Sequence, residues 1–62
     1  MPKFRKRPII VEAERIIEPI IIHTLEGDML GNPGDWLVTG ITGEKYPVKH
    51  KIFIETYDAL ED

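Results

Sequence analysis

Four positively charged side chains, two aromatic rings and a hydroxyl carry the most specific chemistry in this 62-residue sequence. If the N-terminal segment runs beside the chain after Val48, then Arg5, Arg7, Lys49 and Lys51 form a compact cationic patch suited to phosphates. Thr39, Thr42 and Tyr46 supply hydroxyl donors near it, and Trp36 offers a face on which a base stacks. The candidate ligand-binding set is therefore Arg5, Arg7, Trp36, Thr42, Tyr46, Lys49 and Lys51. A plainer reading competes with it, in which these cations only neutralise Glu44, Glu55 and Asp58 on a solvated surface.

Other chemistries find less support. Nucleophilic catalysis draws on an activated Ser, Cys, Thr or Lys beside a base, and the sequence has neither Ser nor Cys. His23 and His50 are single and stand in no HxH, HxxxH or HExxH spacing, so neither a metal nor a cofactor is expected. Glu12 and Glu14 share a strand face, but two carboxylates there read first as a solvated face that discourages edge-to-edge aggregation. The glycine-containing stretch lacks GxxxxGK[ST] and GxGxxG, so it is not a phosphate loop of a known type. An enzyme is not expected.

The elements that must position these residues are mostly strands. Ten Ile, three Val and four Thr stand against two Ala and four Leu, a bias toward extended chain. Five Gly and five Pro cut the chain into short pieces. Phe4 to Ile17 reads as a first strand, clearest where Ile9, Val11 and Ala13 on one face alternate with Glu12 and Glu14 on the other, with Pro8 at an edge or at the start of the paired segment. Ile20 to Leu25 reads as a second strand, Glu26-Gly27-Asp28 as a turn and Met29-Leu30 as a short return.

Asn32-Pro33-Gly34-Asp35 has the residue order of a type II turn. Trp36 to Thr39 then forms a strand, and Ile41-Thr42-Gly43 closes a hairpin onto Glu44 to Val48, across which Trp36 and Tyr46 would pair. Phe53, Tyr57 and Leu60 share a helical face, whereas Ile52, Ile54 and Thr56 alternate like a strand; the reading leans to a short helix. The expected fold is mostly β, a small α+β domain: an antiparallel sheet or small open barrel of four to five short strands, with one short C-terminal helix or 3₁₀ turn. Residues 1–62 form a single domain.

Pro33-Gly34-Asp35-Trp36, Gly40, Gly43-Glu44-Lys45-Tyr46-Pro47, Ile52-Phe53 and Thr56-Tyr57 together resemble the small bacteriophage proteins that carry a Pro-Gly-Asp-Tyr-Gly-type motif. The opening Phe4-Arg5-Lys6-Arg7-Pro8-Ile9-Ile10-Val11-Glu12-Ala13 is similar to the way those proteins begin, so the resemblance spans nearly the whole chain. Trp36 stands where Tyr is common, and the stretch from Glu14 to Ile20 is shorter than in longer members. The resemblance implies a phage accessory protein in the cytoplasm of a bacterial host, in a family mostly without an assigned function. Each motif residue also has a structural reading as a turn, a cross-strand partner or a tight hairpin end.

Size and charge set the remaining expectations. A chain this short buries only about 60% of the surface its unfolded form exposes, and without cysteine it has no disulfide to compensate, so self-association is expected. No apolar run is long enough to cross a bilayer, and the basic start lacks the apolar core of a signal peptide; the chain is read as cytosolic and unprocessed. Residues 1–7 carry four positive charges, whereas the rest carries four against eleven negative, a net of −7. An overall charge of −3 disfavours long nucleic acid.

The leading functional expectation is a non-enzymatic binding protein, a homo-oligomer that sequesters a host nucleotide second messenger between subunits, as a counter-defence sponge. The alternative is an inhibitor or adaptor that binds a host or phage protein through an exposed strand edge and an acidic surface. A minor virion component is a third reading.

Overall fold

The computed structural model describes residues 1–60. It contains five strands, β1 (Glu12–Arg15), β2 (Ile20–Thr24), β3 (Gly27–Gly31), β4 (Trp36–Thr39) and β5 (Lys45–Val48), and one helix, α1 (His50–Thr56). The strands form two antiparallel sheets, a three-stranded one in the order β1-β4-β5 and the β2-β3 hairpin. The mostly β fold with a short C-terminal helix follows the composition. The sheets are open, so the barrel alternative does not apply.

Each boundary has a local cause. Thr24 ends β2 because its hydroxyl accepts the Glu26 N–H (3.1 Å) and donates to the Gly27 carbonyl (2.6 Å). That moves the turn one residue earlier than the sequence reading, to Leu25 and Glu26, and Gly27 already pairs with Thr24. At Asn32-Pro33-Gly34-Asp35 the Asp35 N–H donates to the Asn32 carbonyl (3.1 Å) and Gly34 has φ 93°, the left-handed position that a type II turn demands of its third residue. Gly40 to Gly43 closes the β4-β5 hairpin, with the Gly43 N–H on the Gly40 carbonyl (3.0 Å) and the Gly40 N–H on the Glu44 carbonyl (2.8 Å).

The first strand is shorter than expected. Alternation of Ala13 against Glu12 and Glu14 holds in β1, but Ile9 and Val11 lie before it, and residues 1–11 carry no regular structure. A strand needs a partner for its backbone, and β1 finds one only where β4 reaches: Glu12 faces Thr39 and Arg15 faces Trp36. The ladder continues one step further, with the Ile16 N–H on the Asp35 carbonyl (2.8 Å) and the Gly34 N–H on the Ile16 carbonyl (2.8 Å).

Two small apolar clusters hold the elements together. Val38, fully buried, lies between Ala13 and Tyr46 on the sheet face that also carries Trp36 and Val48. Phe53 of α1 stacks against that face through Trp36. The second cluster joins Ile16 to the β2-β3 hairpin through Ile22, both only 4% exposed, and Gly31. A Cβ at Gly31 would lie 2.9 Å from the side-chain tips of Ile16 and Ile22, so any larger residue there would require those two tips to shift. The hairpin lies against β5 without joining its ladder.

Pro47 fits a strand because its partner Leu37 occupies a non-hydrogen-bonded position, three steps from the bonded Gly40 and Glu44 pair by alternation of the ladder. Its missing N–H therefore points away from β4, toward the outer side of the sheet. No helix among the described residues is long and apolar enough to cross a membrane.

Candidate functional site

Trp36 is the centre of a stacked aromatic series. Its ring lies 4.3 Å from Phe53 (12° between planes), Phe53 lies 4.8 Å from Tyr57 (22°), and His50 stacks beside Trp36 at 6.5 Å (14°). The i and i+4 spacing of Phe53 and Tyr57 lets the second ring stack on the first, with the Tyr57 phenol beside Tyr46 of β5, although Tyr57 caps the helix with extended backbone and Leu60 lies beyond it, exposed. The Trp36 Nε1–H donates to His50 Nδ1 (3.1 Å), which places the His50 proton on Nε2.

Arg15 completes the surroundings of the indole. Its guanidinium carbon lies 5.2 Å from the ring centre, and its Nε–H donates to the Gly34 carbonyl (2.7 Å). Asp35 reaches from the turn to α1, where its Oδ1 accepts the His50 N–H (3.0 Å). Lys49, the N-cap residue, offers no side-chain acceptor, so a residue from the β3-β4 turn satisfies one of the open helix donors. The Pro33-Gly34-Asp35-Trp36 segment thus joins β1, β4 and α1.

The predicted site residues fall into three places. Trp36, Lys49 and Lys51 belong to the end of the molecule where β4 begins, β5 ends and α1 starts, with Tyr46 two residues back along β5. Trp36 faces Val48 and Tyr46 faces Val38, so the two aromatic residues share a sheet face on the diagonal and do not form the direct cross-strand pair expected from sequence. Burial, and then the adjacent Tyr57 phenol, raise the Tyr46 phenol above its ordinary value.

Thr42 lies at the opposite end of the hairpin. Its hydroxyl donates to Glu44 Oε2 (2.6 Å) and its N–H to Glu44 Oε1 (3.2 Å). The Thr42 hydroxyl, followed by the backbone N–H groups of Thr42 and of Glu44 itself, holds the Glu44 carboxyl below the usual glutamate value. Arg5 and Arg7 occupy the N-terminal segment, exposed and outside both sheets. His23 Nδ1 lies against Asp28 Oδ1 (2.6 Å), and none of Arg5, Arg7, Lys49 and Lys51 forms a salt bridge among the described residues.

Arg15 was missing from the sequence-derived set. Its signal was its parity with Ala13 on the first strand, which puts it on the same face as the Trp36 it opposes. A separate open apolar groove of about 430 Å³ lies between β2 and the Gly43–Lys45 end of the hairpin, with Ile20, Ile22 and Leu37 in its walls. No group of three or more His, Cys, Asp or Glu that would hold a metal occurs among the described residues.

Comparison with known proteins adds no relative: no family model, curated protein or solved structure matches this chain. The resemblance to the phage family rests on the motif residues themselves.

Proposed function

We propose that this chain is a non-enzymatic phage accessory protein of the Pro-Gly-Asp-Tyr-Gly-type family that binds a phosphate-bearing nucleotide between subunits of a homo-oligomer. In the cytoplasm of a bacterial host it would act as a sponge, holding a defence second messenger without cleaving it. The observation that carries this reading is the state of the four cations: Arg5, Arg7, Lys49 and Lys51 have no carboxylate partner among the described residues and are available to an anion.

Within one chain these cations come in two groups, one on the N-terminal segment and one at the start of α1. A partner copy that brings its Arg5 and Arg7 to the Lys49 and Lys51 of the first would join them. Trp36 already has Phe53 on it and a guanidinium over it, so Tyr46 is the aromatic residue better placed to meet a base. Thr42, engaged with Glu44, contributes by shaping the hairpin end.

Alanine at Arg5, Arg7, Lys49 and Lys51 together is expected to abolish binding of cyclic and linear nucleotides in calorimetry while leaving the circular dichroism spectrum in place. Unchanged binding would refute the assignment. One observation favours the second reading, an inhibitor or adaptor of a protein: β1 has β4 on one side only, and Glu12 and Glu14 line that outer strand. A stable complex with a host protein, indifferent to nucleotide, is the result it expects.

A further inference from the structure

The two outer edges of the three-stranded sheet are unlike. Along β5, Pro47 withholds an N–H from the edge, and the β2-β3 hairpin lies against the strand. Along β1, among the described residues, no strand pairs with the outer side and no proline interrupts it. Ile16 exchanges bonds with Asp35 and Gly34, so by alternation Glu14 and Glu12 also turn their backbone groups to β4, while Arg15 and Ala13 turn theirs to the open edge. Continued back along the chain, the same alternation turns Val11, Ile9 and Arg7 to that edge and turns Pro8, which has no N–H to donate, away from it.

We propose that two copies of this chain pair through this edge, β1 against β1 about a two-fold axis, with the strand extended back to Arg5, to form one six-stranded sheet. The proposal rests on the self-association in the functional reading and names its interface. Three observations carry it. The chain exposes 5828 Å², whereas a folded monomer of 7.1 kDa is expected to expose about 4,100 Å². The excess is roughly twice the ~800 Å² per partner that a standard interface covers. The radius of gyration, 12.9 Å, likewise exceeds the ~10.6 Å expected for this length.

The second observation is apolar. Ile9 and Ile10, in the segment that leads into β1, are 46% and 77% exposed, and a matching strand along the extended edge would cover them. The third is charge. The basic segment before β1 and the Glu12 and Glu14 of β1 are complementary when the strands run antiparallel. Two-fold symmetry requires the axial residue to face its own copy. With Ile10 there, Ile9 opposes the partner's Val11 and Lys6 opposes the partner's Glu14.

The same register has a consequence for the ligand. It sets the partner's Arg5 opposite Arg15 and the partner's Arg7 opposite Ala13, on the sheet face that carries Trp36. Like charges so placed repel unless an anion lies between them. The interface therefore gathers guanidinium groups where phosphate would be held, next to the start of α1.

Because the chain contains no cysteine, single cysteines report the register directly. Ile10→Cys, at a non-hydrogen-bonded pair with Cα atoms ~4.5 Å apart, is expected to form a disulfide-linked dimer about tenfold faster under mild oxidation than Leu25→Cys, an exposed control in the β2-β3 turn and outside this sheet. In sedimentation without nucleotide, the unaltered chain is expected at twice its monomer mass. Lys6→Glu and Glu14→Lys should each weaken the dimer about tenfold, and the two together should restore it. A monomer, equal cross-linking of the two cysteine variants, or no restoration by the double reversal would overturn the interface. A dimer that cross-links as expected yet takes up no nucleotide keeps the interface and removes the sequestration reading.

Discussion

Thr42 and Glu44 show how a residue that reads as a ligand donor can be engaged within its own turn. The carboxylate of Glu44 accepts from both the hydroxyl and the N–H of Thr42, and the hydroxyl is the larger cause of its lowered pKa. The direction fixes the pH dependence: a carboxyl with a folded pKa below its unfolded one contributes stability above the unfolded value and loses it as the pH falls through the folded value. Thr42→Val removes the hydroxyl donor and is expected to move the Glu44 titration upward, read by NMR of the side-chain carboxyl carbon. An unshifted titration would contradict the role given to Thr42. The pairing was not legible in the sequence, because Thr42 next to a glycine turn reads equally as an open hydroxyl.

At the level of elements, much of the fold was legible where a local signal and a tertiary one agree. The Asn32-Pro33-Gly34-Asp35 turn fixes its own dihedrals, and β4 begins at the Trp36 that follows it, as read from sequence. The β4-β5 hairpin was also legible, but not its pairing: Trp36 meets Val48, and a turn of Gly40 to Gly43 leaves Tyr46 two ladder steps short of Trp36. The first strand failed for a different reason. Alternation of Ile9, Val11 and Ala13 describes a face, but only β4 supplies the partner, and it reaches no further back than Glu12.

The helix was legible through Phe53 and Tyr57, which stack in sequence order on Trp36, whereas its cap was not, because Asp35 reaches it from another loop. Asp35→Ala is expected to cost about 1 kcal/mol, the usual worth of a helix cap, and to lower the helical circular dichroism signal, with Asp35→Asn retaining most of both. Equal melting temperatures for all three proteins would show that the link between the turn and α1 contributes nothing.

The molecule as a whole buries little. Ile16, Ile22 and Val38 are its buried apolar residues among those described, and Phe4, Ile10, Ile17, Ile21, Leu25 and Leu30 are more than half exposed. A single copy leaves much of its apolar surface in water, a deficit that small domains without disulfides or metals relieve by association. The cysteine-free composition already pointed that way; the location of the open edge required the strand order. The candidate cations divide accordingly, with Lys49 and Lys51 at one end of the sheet and Arg5 and Arg7 on a segment that a second copy can engage.

Native mass spectrometry of the protein, alone and after incubation with a panel of cyclic and linear nucleotides, reads assembly and binding together. The expected result is a defined dimer that gains the mass of one nucleotide per site. A monomer, or a dimer that takes up none of them, would contradict nucleotide capture between subunits.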